Sequence, residues 1–311
     1  MGKKCLLLCF SGTGNTLLVG RKIQAELEKN GYEVTLYRYQ EPKTDIPDPD
    51  SFDLIGFGYP IHAFNTPQAF LRFISSLPVL KEKKDAFVFK VSGEPLSLNN
   101  ASSCSLIRKL RKKNYIVHQE RHFLMPYNII FRFPDSVVKS LLLYLDPLVS
   151  LFVKDILEGK EEKISSNVGI KIISYLLRIE WIAPKVNHLF FHSDKKKCIH
   201  CNLCLKNCPM HAIYVDKKGR MKATRNCALC MNCTMICPKD AIHFGFLNNW
   251  EVNGYYPYRK IRKDESIEPA DLKSFRKGFF HSYKSYFTKV DQELEEAKIP
   301  LPLSKEDKKN E

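Results

Sequence analysis

Residues 198–209 read CIHCNLCLKNCP, and residues 227–238 read CALCMNCTMICP. Every cysteine of the first stretch recurs 29 positions later in the second, as does the proline after the fourth cysteine. Eight of the 11 cysteines lie in these two stretches. A chain of 311 residues can bury a large apolar core without disulfide bonds, so this crowding indicates metal binding rather than disulfide scaffolding.

The spacing of the cysteines has a chemical reason. Three cysteines, each separated by two residues, can wrap a tight loop around one iron–sulfur cubane, but the fourth lies too far along the chain to close that loop. The pattern resembles bacterial two-cluster ferredoxins, in which the fourth cysteine ligates the other cluster. The resemblance implies two [4Fe–4S] clusters with crossed ligand sets: Cys198, Cys201, Cys204 and Cys237 for one, and Cys227, Cys230, Cys233 and Cys208 for the other.

Zinc is the main alternative for this block, because paired Cys-x-x-Cys motifs also bind zinc. A tetrahedral zinc site needs four ligands and does not explain three evenly spaced cysteines plus Cys-Pro, twice. A single remaining cluster is a further alternative. The residues after each Cys-Pro predict short strands at 212–215 and 241–244, with a turn at Asp216–Gly219 between the halves.

The first part of the chain alternates apolar runs with helical stretches. Three of the runs are almost continuously apolar, as expected for parallel strands buried on both faces. Helices are predicted at Asn15–Asn30, Thr66–Ser76, with Thr66 as N-cap, and Ser102–Lys113. This alternation predicts a doubly wound α/β domain with a five-stranded parallel sheet. The predicted strands are Lys4–Phe10, Tyr32–Tyr39, Leu54–Tyr59, Ala86–Val91 and Tyr115–Leu124.

The loop SGTGNT at residues 11–16 joins the first strand to the first helix. Such a turn directs backbone N–H groups and the positive helix end at an anion. Neither a Gly-x-Gly-x-x-Gly dinucleotide fingerprint nor a Walker loop is present in it. The loop therefore suits a monophosphate, and the alternative is an ordinary polar turn at the end of a strand.

Residues 11–16 resemble the phosphate loop of flavodoxins, which bind flavin mononucleotide (FMN). The resemblance assigns the phosphate to Ser11, Thr13, Gly14, Asn15 and Thr16. It places the flavin ring between residues 58–64, GYPIHAF, and residues 92–95, SGEP. In these loops it implies ring contacts from Tyr59, Pro60, His62, Phe64, Ser92 and Gly93.

The chain as a whole resembles flavodoxin–ferredoxin fusion proteins of anaerobic bacteria and archaea. The segments ERHF at 120–123 and MPYN at 125–128 share this resemblance. Two features depart from flavodoxins: the chain is basic, and prolines replace a helix between Tyr39 and Phe52. The expected domains are a flavodoxin-like FMN domain (1–132), a helical connector (133–193), a small α+β ferredoxin-type domain (194–247) and an extension with a disordered end (248–311).

These features predict an electron-transfer protein that carries two [4Fe–4S] clusters and FMN. No constellation of catalytic acid, base or nucleophile is evident, so an electron carrier is favoured over an enzyme with its own substrate. One alternative is a ferredoxin-dependent flavin reductase of a small organic acceptor, with a pocket near His62 or His122. Another is a ferredoxin module on a scaffold that binds no flavin.

The chain has 49 Lys and Arg against 34 Asp and Glu, a formal net charge of +15. The basic residues are spread along the sequence, so we expect an acidic redox protein as partner rather than nucleic acid. The apolar stretch Leu141–Leu157 is interrupted by Asp146, Lys154 and Asp155, and no signal peptide is evident. We therefore expect a cytoplasmic protein that contacts no membrane.

Overall fold

Five strands form one parallel sheet in the computed structural model, which describes residues 2–43, 45–162, 164 and 166–303. The strands are β1 (Lys4–Phe10), β2 (Glu33–Tyr39), β3 (Leu54–Pro60), β4 (Lys84–Ser92) and β5 (Tyr115–Leu124). Their order is β2-β1-β3-β4-β5, and all neighbours are parallel. This is the flavodoxin-like doubly wound order, so the predicted fold class is confirmed.

Helices cover both faces of the sheet. On one face, α1 (Asn15–Lys29) packs with α4 (Asp135–Leu157) over Leu7 and Phe89. On the other face, α2 (Gln68–Ser76) and α3 (Cys104–Arg111) pack over Leu8 and Phe57. Apolar residues point both ways from each central strand because both faces are buried.

Two helix starts differ from the prediction. Thr66 does not cap α2, because its hydroxyl donates to the Ser102 carbonyl oxygen at 2.7 Å instead. The predicted helix at Ser102–Lys113 begins only at Cys104, after a 3-10 helix over Ser97–Ser103. In both places a contact between the two segments replaces local capping.

The helix α4 is 23 residues long, contains Pro147 and is apolar enough to meet a length-and-composition criterion for a membrane span. In its most apolar window, 67% of the residues are buried inside the protein. It packs against α1, and the Tyr144 hydroxyl donates to Asp291 Oδ1 at 2.8 Å. Burial in the core explains why this helix is apolar around most of its circumference.

The cysteine-rich part follows α5 (Val168–Leu176) and α6 (Ala183–Phe190). Its elements are β6 (Phe191–Ser193), α7 (Leu203–Lys206), β7 (Ile213–Val215), β8 (Met221–Ala223), α8 (Asn232–Met235) and β9 (Ile242–Phe244). The predicted short strands β7 and β9 are present, and the predicted turn joins β7 to β8. The strands do not pair with each other: β7 pairs with β8, and β9 pairs with β6, all antiparallel.

In the C-terminal segment, α9 (Tyr258–Lys263) packs on α4, and α10 (Tyr283–Glu296) returns to the sheet at β5. The Tyr283 hydroxyl donates to the Gly93 carbonyl oxygen, and Arg121 pairs with Glu293 at 2.8 Å. This segment also bridges the two cofactor regions, since Tyr255 contacts Asn232 and Tyr258 contacts Asn15. The charged run Ser304–Glu311, predicted to be disordered, lies outside the described residues.

Candidate cofactor sites

The structure gathers the eight cysteines into two quartets. Cys198, Cys201, Cys204 and Cys237 surround one small space and form what we term the outer quartet. Cys208, Cys227, Cys230 and Cys233 form the inner quartet. Burial, together with the nearby thiols of the three other inner cysteines and of Cys204 from the outer quartet, raises the pKa of Cys233 well above its ordinary value. The crossed grouping is the one that the sequence predicted, and the role of each cysteine as a ligand stays a prediction.

The backbone repeats with the sequence. Three pairs of non-glycine residues, each 29 positions apart, have matching positive φ angles. The pairs are His200 and Leu229 (54° and 50°), Asn202 and Met231 (59° and 60°), and His211 and Asp240 (45° and 48°). Asn, Asp and His tolerate this conformation, whereas Leu229 and Met231 adopt it only where the surroundings impose it. The sequence repeat therefore encodes a loop shape as well as cysteine positions.

Backbone amides point at sulfur in both quartets. The Ala212 amide donates to Cys208 Sγ at 3.4 Å, and the Ala241 amide donates to Cys237 Sγ at 3.3 Å. These two bonds again lie 29 residues apart. Hydrogen bonds to cluster sulfurs stabilise the reduced state and help to set the potential. The alanines that recur with the cysteines thus hold amides close to the sulfur atoms.

The geometry also bears on the zinc alternative. In the part of the chain that the structure describes, no three Cys, His, Asp or Glu side chains converge tightly enough to hold a single metal ion. One zinc ion would need its four sulfur ligands about 2.3 Å from a common centre. The described cysteine side chains do not meet this condition.

A cavity of about 470 Å³ opens at the carboxyl ends of β1, β3 and β4. In doubly wound folds this edge is where ligands bind. Most of the predicted flavin residues line the cavity: Ser11, Thr13, Asn15, Thr16, Pro60, His62, Phe64, Ser92 and Gly93. The structure thus brings the three predicted loops together around one space of the size that small-molecule cofactors occupy.

Two predicted residues do not line the cavity. Tyr59 is fully buried in the core on the α2 face of the sheet, where its hydroxyl lies 3.0 Å from Ser102 Oγ. It points away because neighbouring residues of a strand face opposite sides, and its successor Pro60 is the one that borders the cavity. Gly14 is the N-cap of α1, and its amide donates to Ser11 Oγ at 3.2 Å.

The loop at residues 11–16, predicted to bind phosphate, is held by its neighbours. Asn15 donates to the Pro126 carbonyl oxygen at 2.8 Å, and Arg38 on β2 donates to the Ser11 carbonyl oxygen at 2.8 Å. The Arg38 guanidinium thereby places a positive charge beside the loop. The hydroxyl oxygen of Thr16 is buried and has no hydrogen-bond partner among the described residues. A buried hydroxyl without a partner is costly, so this atom fits a site that a polar ligand completes.

The inner quartet forms part of the same cavity. Leu229, Cys230 and Met231 line it, opposite the flavodoxin-like loops. A Cβ atom placed on Gly12 would lie 2.4 Å from Cys230 Cβ and 2.9 Å from Cys230 Sγ, so only glycine allows this approach. Asn128 links the two sides, since its side-chain amide donates to Thr13 Oγ1 at 3.3 Å and to the Cys230 carbonyl oxygen at 3.2 Å.

Several cavity residues were not predicted as site residues. Glu94 and Asn128 stood within stretches that the sequence analysis quoted, but their side chains carried no signal of their own. Asn128 follows β5 and therefore lies at the carboxyl edge of the sheet. That position is the sequence signal that could have marked it as a site residue. Met231 and Trp250 reach the cavity only through the packing of the cysteine-rich part.

Residues 197–244 match the family described as the 4Fe-4S dicluster domain. The chain thus joins a flavodoxin-like domain to a ferredoxin-type dicluster domain. The predicted fusion is confirmed, as is the prediction of 4Fe-4S clusters in this segment. The match covers the dicluster segment alone, and the flavodoxin-like assignment rests on the strand order of the sheet.

Two curated relatives overlap with parts of the fusion. The thiosulfate reductase electron transfer subunit PhsB of Salmonella typhi is 24% identical over 98 residues, 28% of this chain and 50% of that protein. An uncharacterized protein of Methanocaldococcus jannaschii is 35% identical over 51 residues, 16% of this chain and 19% of that protein. The chain thus spans half or less of either relative.

Solved flavodoxins are similar to the first part of the chain. The flavodoxin of Streptococcus pneumoniae TIGR4 has a TM-score of 0.37 and 12% identity, covering 50% of this chain and 98% of that one. The Megasphaera elsdenii flavodoxin has a TM-score of 0.32 and 21% identity, covering 38% of this chain and 84% of that one. The chain thus combines an iron–sulfur domain with a flavodoxin-like fold.

Proposed function

We propose that the fusion binds FMN in the cavity and one [4Fe–4S] cluster in each quartet, and that electrons cross between the two domains at Cys230. The observation that carries this proposal is the double role of Cys230, which belongs to the inner quartet and also lines the cavity. A bound flavin supplies the ability to hold one or two electrons, whereas each cluster passes one.

The donor set around the loop supports a monophosphate as the anchored group. The first amides of α1 have no partner inside the helix and face an anion placed at its N-terminus. Thr16 supplies a buried hydroxyl, and Arg38 adds positive charge behind the loop. Ser11 organises the turn, since its hydroxyl oxygen accepts hydrogen bonds from the amides of Gly14 and Leu17, both at 3.2 Å.

The outer quartet is the proposed site of electron exchange with the external partner. Cys201 is exposed, whereas Cys230 and Cys233 are buried. Three exposed lysines, Lys195–Lys197, precede Cys198 directly. An acidic patch on a partner would complement these charges and speed association at low salt. The order of carriers would then be partner, outer quartet, inner quartet and cavity.

Anaerobic reconstitution followed by iron, sulfide and flavin analysis tests the proposal. We expect about eight iron atoms and about one FMN per chain, with the flavin reduced when the clusters are reduced. Four or fewer iron atoms, or bound zinc, would contradict the cluster assignment. Full cluster loading without any FMN would leave the cluster assignment intact but contradict the flavin assignment. It would favour a scaffold that binds no flavin.

A Thr16→Val variant tests the phosphate loop itself. Because valine removes an unpartnered buried hydroxyl, we expect the flavin-free protein to keep or slightly gain stability, by up to about 1 kcal/mol. FMN affinity should fall about tenfold or more, since a hydrogen bond to a charged group is worth about 1.5–3 kcal/mol.

The control is Thr288→Val, because Thr288 lies on α10 and its hydroxyl donates only to the Lys284 carbonyl oxygen of the same helix. Fluorescence titration of FMN and thermal unfolding give the two quantities. Equal FMN affinity in the Thr16 variant and the parent would show that the Thr16 hydroxyl does not face the phosphate.

A further inference from the structure

The cavity contains one buried carboxyl group, that of Glu94. This residue lies two positions after the end of β4 and lines the cavity with only 7% of its surface exposed. The Tyr127 hydroxyl donates to Glu94 Oε2, and the Asn99 amide donates to Glu94 Oε1 at 3.3 Å and to the Glu94 carbonyl oxygen at 2.8 Å. These contacts fix the carboxyl group at the inner wall of the cavity.

The charges around Glu94 leave its carboxyl without a cationic partner. Within the described residues, no Lys, Arg or His side chain forms an ion pair with it. Lys90 is the nearest buried cation in sequence, but it pairs with Glu120 at 2.7 Å, and both of these side chains are buried. His122 contacts Ser92, with its Nε2 2.8 Å from Ser92 Oγ. Burial, with Lys90 nearby, lowers the pKa of His122 to about 3, so the imidazole is neutral at pH 7.

The remaining titratable groups around Glu94 are also uncharged at neutral pH or lie elsewhere on the wall. Tyr127 and Tyr283 approach from the segment after β5 and from α10, and burial raises the pKa of both phenols. His62 and Cys230 line the same cavity from other loops. Burial also raises the pKa of Glu94 above its ordinary value, although the hydrogen bonds from Tyr127 and Asn99 oppose the shift.

We propose that Glu94 is the proton carrier of the cavity, holding a proton on its carboxyl group and transferring it to the flavin as electrons arrive. The inference rests on the proposed function. The flavin gains two electrons, one from each reduced cluster, and one proton from the Glu94 O–H bond. The carboxylate left on Glu94 then takes a proton from solvent. A reduced partner protein re-reduces the two clusters.

The site favours such a carrier for a physical reason. Most of the cavity wall is apolar, with Val91, Met125 and Met231 among the lining residues. Negative charge added to a bound group in such surroundings is poorly solvated, so each electron that arrives raises the demand for a proton. A neutral carboxyl group inside the wall can meet that demand without admitting bulk water.

A Glu94→Gln variant of the reconstituted holoprotein tests this inference. Glutamine keeps the shape and one acceptor oxygen, so it retains one of the two hydrogen bonds from Tyr127 and Asn99, but it cannot release a proton. We expect normal iron and FMN content and normal single-electron reduction of the clusters in stopped-flow experiments. Two-electron reduction of the flavin should slow about 100-fold, the lower range for a lost general acid. Glu94→Asp should restore part of the rate, and Glu265→Gln, at an exposed position, should change nothing.

Two further readouts separate proton transfer from a structural role. The parent should show a carboxyl C=O infrared band that changes on reduction, and this band should be absent from Glu94→Gln. Flavin reduction in the parent should also show a solvent isotope effect, and the variant should alter it. A Gln variant with the rate, isotope effect and pH profile of the parent would overturn the inference. So would loss of FMN from this variant, since Glu94 would then hold the cofactor. A parent protein that binds no FMN would instead refute the proposed function.

Discussion

The outer and inner quartets have nearly the same local structure but opposite surroundings. Both have the same cysteine spacing, the same pattern of positive φ angles and the same alanine amide directed at the last cysteine sulfur. Yet Cys201 is exposed, whereas its counterpart Cys230, 29 positions later, is buried against Gly12. The repeat thus builds two cysteine loops of similar shape, and the packing on the flavodoxin-like domain gives them different surroundings.

This difference has a functional consequence. An electron carrier needs one end that a partner can approach and another close to its own acceptor. In the proposed function, the outer quartet, with Cys201 exposed and Lys195–Lys197 beside it, would meet the first need, and the inner quartet, whose Cys230 lines the cavity, would meet the second. Equivalent variants in the two halves should therefore have unequal effects.

The largest expected effect comes from replacing the equivalent cysteines Cys230 and Cys201 separately by alanine. Each variant should lose about half of about eight iron atoms. Only Cys230→Ala should also weaken FMN binding, by about tenfold or more, because it disrupts the cavity wall and leaves a void there. Iron analysis and FMN titration measure both effects. Equal FMN affinity in the two variants would remove the distinction between the quartets.

A smaller effect is expected from Gly12→Ala, which changes the contact between the domains but no ligand. The added Cβ would overlap Cys230, so we expect a loss of about 1–3 kcal/mol in the free energy of unfolding. Slower electron transfer from the clusters to the flavin should accompany it.

The control for Gly12→Ala is Gly169→Ala. Gly169 lies in the first turn of α5, and an added Cβ there would meet only Asn167 Oδ1 at 3.5 Å. This change should be neutral or slightly stabilising, because alanine favours helix by about 1 kcal/mol over glycine. Urea unfolding compares the pair. Similar stabilities for the two variants would mean that Gly12 and Cys230 are not in close contact in solution.

The smallest effect on stability is expected from replacing Lys195, Lys196 and Lys197 together by alanine. These exposed lysines should change the free energy of unfolding by less than about 0.5 kcal/mol. The rate of reduction by an acidic ferredoxin should fall several-fold at low salt and converge with that of the parent at high salt.

The matched control for the lysine variant replaces Lys3, Lys81 and Lys83, which are exposed before β1 and β4 at the opposite edge of the sheet. It removes the same charge from the chain. Stopped-flow measurements over a range of salt concentrations distinguish the two variants. If both variants slow the reaction equally, the net charge of the chain steers the partner, and there is no specific docking site at the outer quartet.

Much of this arrangement could be predicted because it is encoded locally. The continuous apolar runs of β1, β3 and β4 predicted buried parallel strands, and the position of SGTGNT between β1 and α1 predicted where an anion would bind. Tyr59 shows the limit of such reasoning: loop membership suggested a role at the cavity, but the alternation of strand residues directs its ring into the core. Glu94 shows the reverse, since its burial is a property of the packed wall.

The sequence by itself determined the two cysteine loops, the turn at residues 11–16 and the order of strands and helices, because these depend on spacing, periodicity and residues close in the chain. Only the tertiary structure decided that Cys230 meets Gly12, that Asn128 bridges the two domains and that α10 returns to the sheet. Contacts of this kind join residues about a hundred or more positions apart, and they depend on shape complementarity that no local pattern records. Which of two equivalent cysteine loops faces solvent was therefore settled by packing.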